Sequence, residues 1–155
     1  MAIARGAGTE IIRSVHLEIV DATYSDLIVG VQHHIYTVLS VISYCAAIQA
    51  AGNYLLMLVE GYDSKEGTSA QYHNIFEQDM QVDQTFVWND KFSFNGYEPT
   101  GLSGALGAGD DAADQVYQNA IADQGSSVAQ SLLIKSEHAD DNFHVHCTYI
   151  DQNNA

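Results

Sequence analysis

The stretch Phe143-His144-Val145-His146-Cys147-Thr148-Tyr149-Ile150 sets Phe143, Val145, Cys147 and Tyr149 against His144, His146 and Thr148 in strict alternation. Successive strand side chains point to opposite faces, so this period predicts a strand with one face in a core. Asp140-Asp141-Asn142 ahead of it reads as a turn, and Ser131 to Glu137 as the preceding strand. The same rhythm opens the chain. Ile11, Val15, Leu17 and Ile19 share one parity, while Ser14, His16 and Glu18 share the other.

The middle of the chain follows suit. His33 to Ile48 is apolar on both parities, as in a strand covered on both sides or one whose second face meets a neighbouring subunit. Gly52-Asn53 gives a turn into the apolar run Tyr54 to Tyr62, and the two runs together predict a hairpin. Tyr72 to Phe76 reads as a short strand. Thr85 to Phe94 is a clearer one, with Phe86, Trp88 or Val87, Phe92 and Phe94 alternating, and Asn95-Gly96 after it is a tight-turn signal. Six or seven short strands with turn-rich joints predict an all-β antiparallel sandwich or jelly roll.

One segment breaks the pattern. Between about 98 and 130, Gly101, Gly104, Gly107 and Gly109 make a loop and Asp110 can cap a helix. Ala113, Val116, Tyr117, Ala120 and Ile121 then fall at helical spacing until Gly125. The expected organisation is a flexible arm over residues 1–9 and a single sandwich domain over 10–155, with an inserted loop-helix segment at about 98–130.

Charge narrows the function. Twenty acidic residues face five basic ones, Arg5, Arg13, Lys65, Lys91 and Lys135, for a net charge of -15. Such a chain repels phosphate, which argues against nucleic acid and anionic membrane as partners. The opening residues carry no secretory h-region and no apolar run approaches the ~20 residues of a membrane helix, so the expected place of synthesis is a cytoplasm.

Candidate chemistry is sparse. His144 and His146 lie two apart on one strand face, a spacing that can place two imidazoles on one metal, but the sequence nominates no third ligand. Cys147 points to the other face, and the pair otherwise reads as the polar outside of a strand. His33-His34 diverge in a strand, which suits packing or an interface hydrogen bond. Cys45 and Cys147 sit in apolar runs as buried thiols, able to pair only if their strands are neighbours. Asp110, Asp111 and Asp114 lack the alternating spacing and glycine of a calcium loop and suit a helix start better. Glu60, Glu77 and Glu98 show no spacing that selects an acid–base pair. No phosphate loop, dinucleotide fingerprint, nucleophile elbow or zinc-protease motif is present. The expectation is a protein without enzymatic activity, cofactor or resident metal.

The strand order also carries a resemblance. Tyr36-Thr37-Val38-Leu39-Ser40-Val41, Gly52-Asn53-Tyr54-Leu55-Leu56-Met57-Leu58 and Gln84 to Phe92 form the first part of the pattern. Leu132 to Ser136 and His144-Val145-His146-Cys147-Thr148-Tyr149-Ile150 complete it. Together they resemble small β-sandwich virion proteins of tailed bacteriophages, over roughly residues 33 to 150. That resemblance implies a virion protein assembled in the bacterial host cytoplasm, most readily a head decoration (cement or knob) protein. A tail adaptor, terminator or fibre-base part is the alternative. It implies contacts with copies of itself, a trimer first, and with the major capsid protein. Arg5 and Arg13 on the arm side, Tyr36 and Val38 on the apolar strand, and Val116 and Tyr117 on the inserted helix are the expected contact residues. From another class, a carbohydrate-binding module would need several aromatics exposed on one face.

Overall fold

The structure is a computed structural model that describes residues 8–63, 68–97 and 129–154. Nine strands are described, and no helix lies among these residues: β1 (Thr9–Ile19), β2 (Ser25–Val29), β3 (His34–Ala47), β4 (Tyr54–Asp63), β5 (Thr68–Asp79), β6 (Thr85–Trp88), β7 (Phe92–Asn95), β8 (Ser131–Ser136) and β9 (Asn142–Asn153). They pair antiparallel in two sheets. One runs β1-β9-β3-β6 with β7 also on β3, and the other runs β2-β8-β4-β5. The inserted helix expected around Val116 and Tyr117, the arm residue Arg5, and the acidic run at 110–114 lie outside the described residues.

Strands β6 and β7 are one edge strand with a kink. Trp88 faces Val41 and Phe92 faces Val38, so four residue steps on the edge oppose three on β3. Counting them as one leaves two four-stranded sheets between which successive strands alternate, except for the β4–β5 pair within one sheet, which is jelly-roll topology. This corrects the expected hairpin. β3 and β4 belong to different sheets, and residues 48–53, with Gly52 at φ 94, carry the chain across the sandwich rather than back along a partner.

The inner faces meet over Val38, Val41, Cys45, Leu55, Met57, Leu132, Ile134, Phe143, Val145 and Cys147, all fully buried. Burying such side chains supplies ~1.5–3 kcal/mol each and is the main force closing the two sheets. Apolar residues on both parities of β3 have a local cause. Its register to β9 slips between Val38 and Ser40, leaving Leu39 as an extra residue. Tyr36 and Val38 therefore point inward before the bulge, and Val41, Ser43 and Cys45 point inward after it. Tyr36 and Val38 were expected at a subunit contact. They are 3% and 0% exposed, so they pack between the two sheets of the chain itself instead.

β2, which the alternation did not reveal, has a similar bulge. Its register to β8 slips between Asp26 and Ile28, so Leu27 and Ile28 are both buried. Gly96 also differs from its expected hairpin role. It closes β7 where the backbone of Val31 passes, and a Cβ there would collide with the Val31 carbonyl. Cys45 and Cys147 lie on adjacent strands, but Cys45 faces Phe143 while Val41 faces Cys147. Four residues of offset keep the thiols apart, and both are free.

The sandwich has two distinct ends. At one, the connections 20–24, 48–53, 80–84 and 137–141 are tied by hydrogen bonds. At the other, the connection 30–33 meets the described ends of β1, β7 and β9 and the residues flanking β8.

Candidate functional site

Among the described residues, apolar side chains fill the inner faces of the two sheets. The candidate surfaces are therefore the outer faces and the ends of the sandwich. The tightest polar cluster is at the tied end. Asp141 is 1% exposed, and one of its oxygens accepts from the Gln49 backbone N–H at 2.8 Å and the Asn53 amide at 3.0 Å. Its other oxygen accepts from the His138 N–H at 3.1 Å and the same amide at 3.3 Å. This carboxylate joins two connections and is structural in character.

The opposite end holds a second cluster. Asp151, 4% exposed, accepts from Arg13 Nε at 2.8 Å and pairs with His34 Nδ1 at 2.7 Å. Arg13, expected at a subunit contact, thus engages a carboxylate of its own chain with its Nε. His34 is thereby tied to Asp151 of its own chain, while His33 sits in the preceding turn at φ 63. The Tyr36 hydroxyl accepts from the Val31 N–H at 3.1 Å. Burial, reinforced by the nearby Asp151 carboxylate, pushes its pKa up to about 12.

Sheet β2-β8-β4-β5 carries a small apolar cluster on its outside, Leu56, Leu58 and Leu133, flanked by Tyr54. Tyr24 and Tyr72 stack at 5.5 Å with their planes 10° apart, and Lys135 Nζ stands 5.0 Å from the Tyr24 ring centroid. β5 and β2 are the two edges of this sheet, so the stack bridges its outer face. Glu60 hydrogen-bonds Tyr72, and its charge raises the Tyr72 pKa, while Glu77 faces Leu56. Nothing described brings these two carboxylates together as an acid–base pair.

The other outer face belongs to β1-β9-β3 and the β6–β7 edge. Register places its outward residues in rows: Tyr44, His144 and Glu18; Ile42, His146 and His16; Ser40, Thr148 and Ser14; Thr37, Ile150 and Ile12. Val87 faces Ile42 from β6. Ile12, Ile42, Tyr44 and Val87 are exposed, Ile12 at 72%. Among the described strand residues of this face, Glu10 and Glu18 are the acids, and no lysine or arginine projects from it.

His144 and His146 share this face as expected, and the structure adds His16 directly opposite His146. Its ring centroid is 6.2 Å from that of His146 and 6.3 Å from that of His144. The sequence placed His16 on the polar parity of its strand, but only strand register could bring it to the other two. In the arrangement described, no group of three or more His, Cys, Asp or Glu among the described residues is close enough to hold an ion.

No family model matches the chain, and no curated protein matches it. A chain from a solved structure of Bacillus endospore appendages, described as a novel family of disulfide-linked pili, aligns over 100% of this chain and 97% of its own. The TM-score is 0.43 and the identity 10%, a level of likeness that carries no argument about what this chain does.

Proposed function

We propose that this protein is a structural subunit that works by having its outer surface covered, first by copies of itself. The particle it builds is a tailed-phage virion, where it serves as a head decoration protein. The observation that supports this reading is the outer face of β1-β9-β3-β6. In a chain of net charge -15, this face presents Ile12, Ile42, Tyr44 and Val87 among serines, threonines and histidines, with two acids among its strand residues. Two copies of so acidic a chain repel each other wherever their carboxylates meet, and least where this face meets itself. The occupant is therefore a second copy. The virion assignment rests on the sequence resemblance alone.

Sedimentation velocity of the wild-type chain and of an Ile42→Glu/Val87→Glu variant tests the assembly reading. Both positions are exposed, so the variant keeps its core, and it is expected to shift to the monomer. A wild-type chain that stays monomeric at every concentration refutes self-association. Mass spectrometry of purified virions tests the particle, and absence from every particle fraction removes the virion assignment.

A second reading has one observation in its favour. The exposed Tyr24–Tyr72 stack on the other sheet is an aromatic surface of the kind that sugars pack on. Glycan-array binding that disappears in Tyr24→Ala and Tyr72→Ala supports a carbohydrate-binding module, and an array without signal removes it.

A further inference from the structure

We infer that His16, His144 and His146 form a surface site for a transition-metal ion, with zinc as the natural occupant. All three ligands come from one chain, and they stand on the same outer face that the assembly reading covers with a second copy, so zinc binding is read in the Ile42→Glu/Val87→Glu variant as well as in the wild type. Two of them stand at alternate positions of β9, on one face, and the third stands on β1 in the register position opposite His146. Directly opposite Cβ atoms on antiparallel strands lie ~4.5–5.5 Å apart and diagonal ones ~7–8 Å, so the backbone fixes three imidazole roots in a compact triangle. Three imidazoles with an open fourth position taken by water is an established ligand set for zinc.

The rings are not yet closed on an ion. The His16 ring centroid stands 6.2 Å from that of His146 and 6.3 Å from that of His144, at tilts of 47° and 42°. Zn–N bonds of ~2.0–2.1 Å in a tetrahedron draw ring centroids to roughly 5 Å, so each ring must move by on the order of 1 Å. Side-chain rotation supplies that, because the three rings face outward, His16 is exposed, and His144 and His146 are half-buried.

The surroundings favour a cation. Glu18 faces His144 across the strand pair, and its Oε1 accepts from Asn142 Nδ2 at 2.7 Å, which fixes the carboxylate beside the site. Thr148 Oγ1 is 3.5 Å from His146 Nε2 and can orient that ring. The purely imidazole ligand set selects Zn2+, Cu2+, Ni2+ or Co2+ over Ca2+ and Mg2+, which prefer oxygen. The acidic character of the whole chain raises the local concentration of any divalent cation, so selectivity rather than mere binding is the diagnostic property.

The test is titration of the full chain with ZnCl2 by calorimetry, beside MgCl2, and with His16→Ala, His144→Ala and His146→Ala. The expected result is one zinc per chain, no comparable magnesium binding, and at least a tenfold loss of zinc affinity in each variant. Circular dichroism of the variants confirms that they fold, since outward imidazoles contribute little to the core. Co2+ gives a second readout: visible absorption of four-coordinate intensity in the wild type, absent in His16→Ala. Saturable zinc binding that His16→Ala leaves unchanged overturns the site, and so does wild-type binding no tighter than that of magnesium.

Discussion

Removing the Asp141 side chain should loosen one whole end of the sandwich. Asp141→Ala deletes a carboxylate that three donors share: the Gln49 N–H at 2.8 Å, the His138 N–H at 3.1 Å and the Asn53 amide at 3.0 and 3.3 Å. Hydrogen bonds to a charged group contribute ~1.5–3 kcal/mol each, and a buried donor left without a partner costs ~1–3 kcal/mol. The three are not equal. Gln49 is exposed and its N–H can turn to water, whereas Asn53 is 9% exposed and its amide is stranded. Releasing a buried charge also recovers some desolvation energy. The net expectation is a loss of about 3–5 kcal/mol. With a urea m-value of ~1–3 kcal/mol/M, the unfolding midpoint then falls by 1 M or more, well outside error. Asp141→Asn keeps the shape but turns an amide N–H2 toward one of the donors, and should lose about half as much. A double-mutant cycle with Asn53→Ala should return a coupling of about 1–2 kcal/mol. A loss below about 1 kcal/mol for Asp141→Ala refutes the assignment of this carboxylate as the tie between the two connections.

Two further perturbations follow from the core. Ser43 is fully buried between the sheets and its Oγ has no hydrogen-bond partner, so Ser43→Ala should stabilise the fold by about 1 kcal/mol, seen as a rise of a few degrees in Tm. An unchanged or lower Tm shows that the hydroxyl is satisfied in solution. Alkaline stability is the other. Burial pushes the Cys147 thiol up to about 12, and Tyr36 reaches about the same value, so both stay protonated in the folded chain after their unfolded counterparts have ionised. The unfolded state then binds fewer protons. Stability that is fully present below about pH 9 must fall progressively as pH rises toward 12. Urea midpoints across that range should flatten in Cys147→Ala and Tyr36→Phe, and an equal slope in wild type and variants rules these groups out as the cause.

How legible the molecule was in its sequence depended on where strands stay regular. β9 alternates without interruption from Asn142 to Ile150, so its faces could be read directly, and the all-β sandwich followed from it and its neighbours. Bulges hid the rest. The extra Leu39 in β3 shifts the inward parity midway, and apolar residues on both parities then imitate a strand covered on two sides. That is why Tyr36 and Val38 read as contact residues although they are core. The extra residue at Leu27 likewise erased the alternation of β2. Gly52-Asn53 signals a change of direction whether the chain returns along its own sheet or crosses to the other, so turn chemistry could not separate a hairpin from a jelly-roll crossing. The histidine cluster shows the same limit. Two of its members are visible in one strand, and the third depends on a register between the two ends of the chain, Val15 with Cys147 and His16 with His146.

The most direct measurement is the sedimentation behaviour of the intact wild-type chain beside the Ile42→Glu/Val87→Glu variant, at matched concentration and ionic strength. An outer face with exposed Ile12, Ile42, Tyr44 and Val87 and two acids among its described strand residues, on a chain of net charge -15, predicts a discrete oligomer for the wild type and the monomer for the variant. Monomers in both samples, or the same oligomer in both, contradict the claim that this face is where copies meet.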